Sequence, residues 1–469
     1  MAEPKPQDPR AGRQAAHALR ARPGGPSDSL FADDFKAAPY WHDGVPPAPA
    51  VPRKLPASAD VVVVGSGYTG LHAAIQTTRG GRSTVVLEAG EPGAGCSTRN
   101  GGQISTSIKP SFETLARRFG PERARRIRAE GPAALDWIED FVAAEGIDCG
   151  FRRAGRFYAA HTPRHYEDLA RKAERGMREE AIEAHAVPQA DQKTELGSDF
   201  YAGGVVFPRF ATLHPARYHH GLLRTALASG VQVVPRCAAL SVERDGDGVT
   251  VDTVLGKVRA RDVVVATNGY TGQLVPWLRR RVIPIGSYMI ATEPLPRAIM
   301  DRLFPTGRMA CDTRRVVYYY GPSPDRSRVV FGGRVSSGET DVRVSGPRLH
   351  AEMTRIFPEL AQARISHAWS GFVAYTFDEM AHCGVHDGIH YAMGYCGSGV
   401  SMASYLGMRT GQRVLGLAEG RTGFDDLPFD TRPLYTGRPW FLPAAVAWYR
   451  WRDTIECARA ARMREAQPA

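Results

Sequence analysis

Runs of apolar residues that end in glycine-rich turns form the most regular pattern in the chain. Residues 60–64 predict a buried strand, residues 71–81 predict the helix after it, and residues 83–88 predict a second buried strand. This order gives a βαβ unit, whose parallel sheet needs helices on both faces. Strands followed by small polar turns return at 261–272 and 388–416. The pattern predicts an α/β Rossmann-like domain assembled from separate parts of the chain.

The intervening segments have a different pattern. Residues 282–375 contain long strands and a hairpin, which predict an inserted antiparallel sheet and an α+β chain overall. The predicted divisions are a flexible tail and lead-in at 1–57, a discontinuous nucleotide-binding domain at 58–110, 203–275 and 384–420, a substrate domain at 111–202 and 276–383, and a C-terminal extension at 421–469.

Composition narrows the class of protein. A chain of 469 residues that is 43% hydrophobic and 23% charged is typical of a globular protein, and it contains no apolar run of the ~18 residues that a membrane span needs. Its seven cysteines are scattered and never spaced CxxC, which predicts neither a disulfide framework nor a metal site and fits a reducing cytoplasm. The net charge of +11 raises the alternative of a nucleic-acid surface, but no basic segment alternates with aromatic residues, so we expect no nucleic-acid partner.

Residues 65–70 match the G-x-G-x-x-G pattern between a strand and a helix. Gly65 permits the tight turn, Gly67 allows a pyrophosphate to approach the backbone, and Gly70 allows close packing of helix and strand. The helix N-terminus offers free N–H groups to phosphates, and Glu88 ends the next strand where an acid accepts hydrogen bonds from a ribose. The predicted dinucleotide contacts also include Tyr68, Thr69 and Ala89.

Two further glycine-rich segments bear on which dinucleotide binds. Residues 394–400 form a second strand-to-helix turn, in which we expect Gly394, Gly397, Ser398, Gly399 and Val400 to contact the cofactor. Residues 94–105 (AGCSTRNGGQIS) form a polar loop with one arginine. A nucleotide domain spread over the whole chain favours the long cofactor FAD. An NAD-dependent dehydrogenase and a non-catalytic FAD-bound protein stay open as alternatives.

Several segments together resemble a known family. The sequence contains ADVVVVGSGYTGLHAA, VVLEAG, GAGCSTRNGGQIS, RDVVVATNGYTG, SRVVFGGR and YAMGYCGSGVSMA. These resemble the D-amino-acid-oxidase and glycine-oxidase-like FAD-dependent oxidoreductases, and within them the γ-glutamylputrescine oxidoreductase type of amine oxidase. The resemblance covers residues 38–420.

The resemblance implies where the flavin contacts the chain. We call residues 94–103 of the polar loop the flavin loop. It would supply Ser97, Thr98, Arg99, Asn100, Gly101, Gly102 and Gln103, and the turn after the strand that ends at residue 265 would supply Ala266, Thr267 and Gly269. Arg99 would be a cation near the flavin or a substrate anion, with a surface salt bridge as the alternative. Family members with covalent flavin have a cysteine in the strand matching GFVAYT or a histidine in the loop matching 96–100. This chain has neither, so the expected FAD is non-covalent.

The resemblance also implies the chemistry. A hydride would pass to flavin N5 from the carbon beside a primary or secondary amine, which in this branch is expected to derive from a polyamine, and the imine would hydrolyse to an aldehyde or keto product. Cyclic imino acids and D-amino acids are the alternative substrates, and O2 or another acceptor would reoxidise the flavin. The predicted catalytic residues are Arg99, Tyr288, Tyr318, Tyr375 and His382, and Met289, Tyr320 and Trp369 would complete an aromatic substrate wall. Strand alternation predicts that Tyr319 faces away from Tyr318 and Tyr320.

Overall fold

The computed structural model describes residues 30–180, 182–246, 248–334 and 340–465. Its strands are β1 (Phe31–Lys36), β2 (Ser58–Val64), β3 (Thr84–Leu87), β4 (Gln103–Ile104), β5 (Arg156–Ala159), β6 (His185–Val187), β7 (Gly204–Phe207), β8 (Ala211–Thr212), β9 (Gln232–Val234), β10 (Ala239–Asp245), β11 (Gly248–Thr253), β12 (Gly256–Val265), β13 (Ile283–Thr292), β14 (Met309–Asp312), β15 (Tyr318–Pro322), β16 (Val329–Gly333), β17 (Ile365–Tyr375), β18 (His382–His386) and β19 (Ile389–Met393). Its helices are α1 (Tyr68–Arg79), α2 (Phe112–Phe119), α3 (Pro121–Ala144), α4 (Pro163–Glu180), α5 (Pro215–Ala228), α6 (Pro276–Arg279), α7 (Arg297–Leu303), α8 (Val342–Ile356), α9 (Gly399–Val414) and α10 (Leu442–Glu465).

The first of two large sheets is the predicted nucleotide-binding sheet. Its eight strands include the order β10-β11-β12-β2-β3-β9, with β19 beside β12 and β18 beside β19. Strands β2, β3, β9, β12 and β19 are parallel to their neighbours in this core, whereas β10, β11 and β12 form an antiparallel meander. The four valines of β2 are buried because the sheet is covered on both faces. The Rossmann-like prediction is confirmed.

Helices α1 and α9 cross at very short distance on this sheet. A Cβ on Gly407 would lie 2.4 Å from the carbonyl oxygen of Thr69, and one on Gly411 would lie 2.7 Å from that of Ala73. Only glycine allows the two backbones to approach this closely. The crossing puts the first turn of α1 against the middle of α9, although more than 300 residues separate the two helices in sequence.

The second sheet has nine strands in the order β1-β17-β13-β16-β15-β14-β5-β7-β6. One of its faces packs against α7 and α8 in a fully buried core that includes Ile290, Phe331, Met300 and Leu349. The other face is turned toward the nucleotide-binding sheet, where Gly101 of the predicted flavin loop meets the ring of Tyr319 on β15. Seven of its nine strands come from the segments predicted as the substrate domain.

Three predicted divisions differ from the structure. Residues 1–29 lie outside the described residues, but Phe31–Lys36 is a strand rather than a flexible lead-in, because it pairs in parallel with β17 at the edge of the nine-stranded sheet. Gly204–Phe207 falls within the predicted nucleotide domain, yet it pairs with β5 and β6 in the substrate sheet. His382–His386 begins inside the predicted substrate segment but pairs with β19 in the nucleotide sheet.

Among the described residues, no helix is both long and apolar enough to cross a membrane.

Candidate active site

The carboxyl ends of the parallel strands meet at one edge of the nucleotide sheet. The N–H of Gly65 donates to the carbonyl of Leu87 at 2.9 Å, and the N–H of Ala266 donates to the carbonyl of Val64 at 2.9 Å. Strand β19 ends beside β12 at the same edge. The structure therefore brings together the glycine turn, the acid after β3 and the turns after β12 and β19, as α/β sheets do at ligand sites.

The first glycine turn is shaped by close backbone approaches. Gly65 has φ of +103°, a left-handed conformation, and a Cβ there would lie 3.1 Å from the carbonyl oxygen of Ala266. A Cβ on Gly70 would lie 1.9 Å from the carbonyl oxygen of Gly65. Helix α1 begins at Tyr68, and its N-cap Gly67 has no side chain that could accept from the first N–H groups. Its first N–H groups are thus directed at the turn, as a phosphate site requires.

Glu88 is fixed at the end of β3. One of its carboxylate oxygens accepts hydrogen bonds from the N–H of Ser66 at 3.0 Å and from the Ser66 hydroxyl at 2.6 Å. The other accepts from the N–H of Gly90 at 2.9 Å, and Ala89 between them is exposed. The carboxylate is therefore oriented at the sheet edge beside the glycine turn, in the position where an acid meets a ribose.

The flavin loop of residues 94–103 is held mainly by its own side chains. The amide of Asn100 donates to the carbonyls of Cys96 at 3.2 Å and Ser97 at 3.0 Å, and its oxygen accepts from the N–H of Gly102 at 2.9 Å. Thr98 donates to the carbonyl of Gly93. Asn100 and Thr98 thus order the loop, and its backbone and remaining side chains are left to contact a cofactor.

Other loop residues connect it to the two sheets. The hydroxyl of Ser97 accepts from the N–H of Tyr68 at 3.1 Å, which ties the loop to the start of α1. Gly101 lies against the ring of Tyr319, since a Cβ on this glycine would be 3.1 Å from the nearest ring carbon. The amide nitrogen of Gln103 is buried and has no hydrogen-bond partner among the described residues. A buried amide donor without a partner suits a bound group that presents an acceptor, so the loop fits a flavin.

Arg99 joins the loop to the nine-stranded sheet. Its Nε donates to the carbonyl of Ala94 at 2.9 Å, and a terminal nitrogen donates to the carbonyl of Ser370 at 3.4 Å. Its own carbonyl accepts from the indole of Trp369 at 2.8 Å. Within the described ranges no carboxylate lies within ion-pair distance of Arg99, so the surface salt bridge considered for it is not formed there.

The second glycine turn is hydrogen-bonded to the chain that follows the flavin loop. Gly394 and Gly397 have positive φ angles of +77° and +99°, and α9 begins at Gly399. The hydroxyl of Ser398 donates to the carbonyl of Ser107 at 3.0 Å. Val400 is buried in the core of the nucleotide domain. The turn therefore leads from β19 into a helix N-terminus that faces the chain after the flavin loop. Val400 is a packing residue in the core and does not line the turn.

The turn after β12 supports the second glycine turn. Asn268, with φ of +42°, accepts a hydrogen bond on its side-chain oxygen from the N–H of Gly394 at 2.9 Å. The hydroxyl of Thr267 shares a 2.7 Å hydrogen bond with that of Thr271. A Cβ on Gly269 would lie 3.1 Å from Phe372 of β17. Predicted cofactor residues Ala266, Thr267 and Gly269 thus lie between the glycine turns and the substrate sheet.

The structure separates the predicted aromatic wall into two faces. Tyr288, Tyr318 and Tyr320 lie in the buried core with α7 and α8, on the face away from the flavin loop, so the structure does not bring Tyr288 and Tyr318 to the site. Met289 and Trp369 are directly paired and lie on the opposite face, under the loop. The predicted alternation in residues 318–320 is confirmed, and the face toward the loop is that of Tyr319.

His382 is also removed from the site. It is 1% exposed, stacks on Phe429 at 3.9 Å between ring centroids, and lies 3.1 Å from both carboxylate oxygens of Asp378. Burial raises the pKa of Asp378, but the hydrogen bond and charge of His382 outweigh it and hold that pKa below its ordinary value. This pair is a packed structural contact, because no face of the imidazole is open to a substrate.

Tyr375 borders the open face of the substrate sheet. A Cβ on Gly397 would lie 3.8 Å from its hydroxyl, and the ammonium of Lys109 lies 5.7 Å from its ring centroid. Direct strand pairing also aligns Tyr158, Cys311 and Tyr319 on this face. Lys109 is exposed, and the three tyrosines are half-buried. A partly open cleft lined by tyrosines thus lies beside the flavin loop and the second glycine turn.

Two cations in this cleft are not among the residues predicted from the sequence. Arg156 lies two residues before Tyr158 on β5 and therefore on the same face. Its Nε is buried without a hydrogen-bond partner in the described part of the chain, and its guanidinium lies 4.1 Å from the ring centroid of Phe210. Burial raises the pKa of the Cys311 thiol to about 11, while the charges of both Arg156 and Lys109 act to lower it. Both cations thus act on the charge of the same thiol.

Tyr319 is a further residue that the sequence did not assign to the site, although alternation separates it from its neighbours. Its hydroxyl shares a 2.9 Å hydrogen bond with Ser287, and its ring packs on Gly101 and Gly332. Burial raises its pKa to about 12, so the phenol keeps its proton. The sequence signal that could have indicated Tyr319 is the pair of glycines at 101 in the loop and 332 in the sheet. Together they leave room for one large ring between the loop and the sheet.

Comparisons with known proteins agree with the Rossmann-like fold. The profile of the family described as FAD dependent oxidoreductase (DAO) matches residues 60–413. The γ-glutamylputrescine oxidoreductase of Escherichia coli is 30% identical, with 85% of this chain and 93% of that protein covered. A probable oxidoreductase OrdL of Rhizobium meliloti is also 30% identical, with 88% and 97% covered.

Solved structures show the same fold at lower identity. Glycine oxidase from Geobacillus kaustophilus matches with a TM-score of 0.66 at 20% identity, covering 81% of this chain and 99% of that one. L-proline dehydrogenase from P. horikoshii matches with a TM-score of 0.65 at 16% identity, covering 83% and 99%. The match to this family identifies the cofactor as FAD and not NAD. The chain belongs to the FAD-dependent oxidoreductases of the D-amino-acid-oxidase family.

Proposed function

We propose that this enzyme oxidises the C–N bond of an amine that also carries an acidic group. The observation that carries the proposal is the pair of cations, Lys109 and Arg156, on the open face of the substrate sheet. Neither has a carboxylate within ion-pair distance among the residues that the structure describes. An unpaired cation beside aromatic rings attracts an anion, because no carboxylate of the described residues forms an ion pair with it.

The relatives support an acidic substrate. Their names refer to γ-glutamylputrescine, glycine, L-proline and iminodiacetate, and each of these compounds combines an amine with a carboxylate. A bare polyamine has only positive charges and would be repelled by Lys109 and Arg156. The proposal therefore favours a γ-glutamyl derivative of a polyamine, or a cyclic imino acid or amino acid, over an unmodified polyamine.

Each of these residues would have its own role in substrate binding and oxidation. Lys109 and Arg156 bind the acidic group and thereby fix the far end of the substrate. Tyr319 and Tyr375 flank the amine end, and the packed loop above them limits the access of water. A bound FAD would supply the hydride acceptor for the carbon beside the amine, and the imine product would hydrolyse in solution to an aldehyde or keto acid. No side chain needs to act as an obligatory acid or base.

The substrate class is tested by anaerobic bleaching of the flavin with matched compounds. Each acidic amine is compared with its uncharged or cationic partner: γ-glutamylputrescine with putrescine, proline with pyrrolidine, and D-alanine with ethylamine. We expect only acidic members to reduce the flavin quickly. Equal rates with the partners that lack the acid would contradict the proposal.

A pair of variants tests the residues. Lys109→Met and Arg156→Met should each raise KM for the acidic amine about tenfold, since a hydrogen bond to a charged group contributes about 1.5 kcal/mol. Lys257→Met is the control, because Lys257 is exposed on β12, on the nucleotide sheet. If KM is the same in all three variants, the acidic group is not bound by these cations.

We also propose that the FAD is held without a covalent bond. The positions that carry a tether in some relatives are Val373 and Ala374 in β17, and the loop at 96–100 contains no histidine. Cys396 in the second glycine turn donates from its thiol to the carbonyl of Gly394, and burial raises its pKa to about 11, which disfavours a reactive thiolate. Acid precipitation should release all the flavin into the supernatant; a yellow pellet would show a covalent link.

The acceptor of the electrons is the remaining part of the proposal. O2 or another acceptor reoxidises the flavin, and the two alternatives differ in a simple measurement. An oxidase consumes O2 with the same turnover number as it reduces an artificial dye, whereas a dehydrogenase turns over with the dye and barely with O2.

A further inference from the structure

Helix α10 presents an unusual outward face. Its buried side is formed by Leu442, Val446 and Asp453, which pack against the body of the protein. Trp448 and Trp451 lie on the opposite side, and each is 53% exposed. Their rings are 5.0 Å apart between centroids, so they form one continuous apolar surface. Exposed apolar surface of this kind on a folded protein marks an interaction site.

The segment before the helix has two more exposed apolar side chains. Trp440 is 70% exposed and Leu434 is 87% exposed. We name the set Leu434, Trp440, Trp448 and Trp451 the aromatic ridge. Tryptophan and tyrosine are the residues that accumulate where a membrane meets water, because each combines an apolar ring with a polar group.

Arginines lie beside the aromatic ridge. On the helical projection, Arg452 and Arg459 share the outward side with Trp448, and the guanidinium of Arg452 lies 6.0 Å from the Trp448 ring centroid. Glu456 is the acid nearest to them, and its carboxylate is bound by Arg315 at 2.8 Å while Arg452 lies 3.6 Å away. The outward side therefore has more positive than negative charge.

We propose that the aromatic ridge attaches the enzyme to the surface of a membrane containing anionic phospholipids. The rings would enter the headgroup region, and Arg452 and Arg459 would contact lipid phosphates. A second copy of the chain is a poorer occupant, because a two-fold contact through this side would bring the arginines of both copies together, and Glu456 beside them is already paired with Arg315. The helix lies on the membrane in this arrangement and does not cross it.

Vesicle co-sedimentation with the full-length, FAD-loaded protein tests the proposal. We expect binding to vesicles of phosphatidylglycerol and phosphatidylcholine, weaker binding to phosphatidylcholine alone, and release by high salt. The double variant Trp448→Ser and Trp451→Ser should bind at least about tenfold more weakly, since half-exposed rings lose their burial in the headgroup region. Arg452→Gln with Arg459→Gln should weaken binding about fivefold per arginine.

The control is Val254→Ser, which removes an apolar residue that is 52% exposed on the turn between β11 and β12. It should bind vesicles like the unchanged protein. Turnover with a water-soluble acceptor should be the same in all variants, because none of the changed residues lies in the active site. The proposal is overturned if no vesicles are bound, if the tryptophan variant binds normally, or if the protein is a dimer that the tryptophan variant converts to monomers.

Discussion

Replacement of Gly70 by alanine tests the geometry of the dinucleotide turn most directly. The added methyl carbon would lie 1.9 Å from the carbonyl oxygen of Gly65 and 3.2 Å from a methyl of Val63. Favourable contacts begin near 3.5 Å, so the first distance is short by about 1.6 Å. The obstructing atom is backbone, which cannot rotate away. Helix α1 would have to move away from β2.

The expected cost follows from that displacement. Forcing an extra methyl into a packed site typically lowers the free energy of unfolding by about 1–3 kcal/mol. The same movement shifts the helix N-terminus away from the phosphates, so we expect FAD affinity to fall at least about tenfold, which corresponds to about 1.4 kcal/mol. Urea denaturation of the FAD-free protein measures the first effect, and fluorescence titration with FAD measures the second.

Gly272→Ala is the matched control. A Cβ there would meet no atom within 4 Å, and its φ lies outside the left-handed region. Its unfolding free energy should change by less than about 0.5 kcal/mol. If Gly70→Ala and Gly272→Ala have the same stability and the same FAD affinity, the close approach of helix and turn is not what requires glycine at residue 70.

Three further results are expected. Tyr319→Phe should lower kcat/KM because it removes a hydroxyl from the cleft, whereas Tyr318→Phe should leave steady-state kinetics unchanged, and equal effects of the two would contradict the assignment of faces. Arg99→Ala frees the loop from two carbonyls, so the visible flavin spectrum and FAD retention after gel filtration should both change; an unchanged spectrum and unchanged turnover would show that the arginine does not order the loop. The pKa of Asp378 is lower in the folded chain than its ordinary 3.8, so the stability that its carboxylate contributes is present above that pH and is lost as the pH falls through the folded value. Asp378→Asn should therefore show a smaller fall in the urea midpoint at acid pH than the unchanged protein. If both proteins lose stability equally as the pH falls, the pair with His382 contributes nothing.

Much of the nucleotide domain could be predicted from local spacing. The strand, glycine turn, helix and acid at residues 60–88 lie within one short segment, so their order alone fixes the topology. Strand β1 escaped prediction for a local reason, since Phe31–Lys36 contains two aspartates and a lysine and lacks a buried apolar run. Its pairing with β17 is a contact between distant segments that periodicity does not report.

The substrate cleft could be predicted only in part. Alternation distinguished Tyr319 from Tyr318, but which side faces the loop depends on where α7 and α8 pack. Arg156 reaches the cleft because β5 pairs with β14, about 150 residues later in the chain. His382 had a recognisable partner, Asp378, four residues before it, and that spacing could have indicated a structural pair.

Strand β1 has a consequence for the boundary of the fold. It occupies the outer edge of the nine-stranded sheet at residues 365–367, where the start of β17 would otherwise present unpaired backbone groups. Exposed strand edges of this kind recruit strands from other molecules and lead to aggregation. A chain shortened to begin at Ser58 would keep the whole dinucleotide turn and still be prone to self-association, because the segment removed is the one that pairs with the first residues of this edge strand.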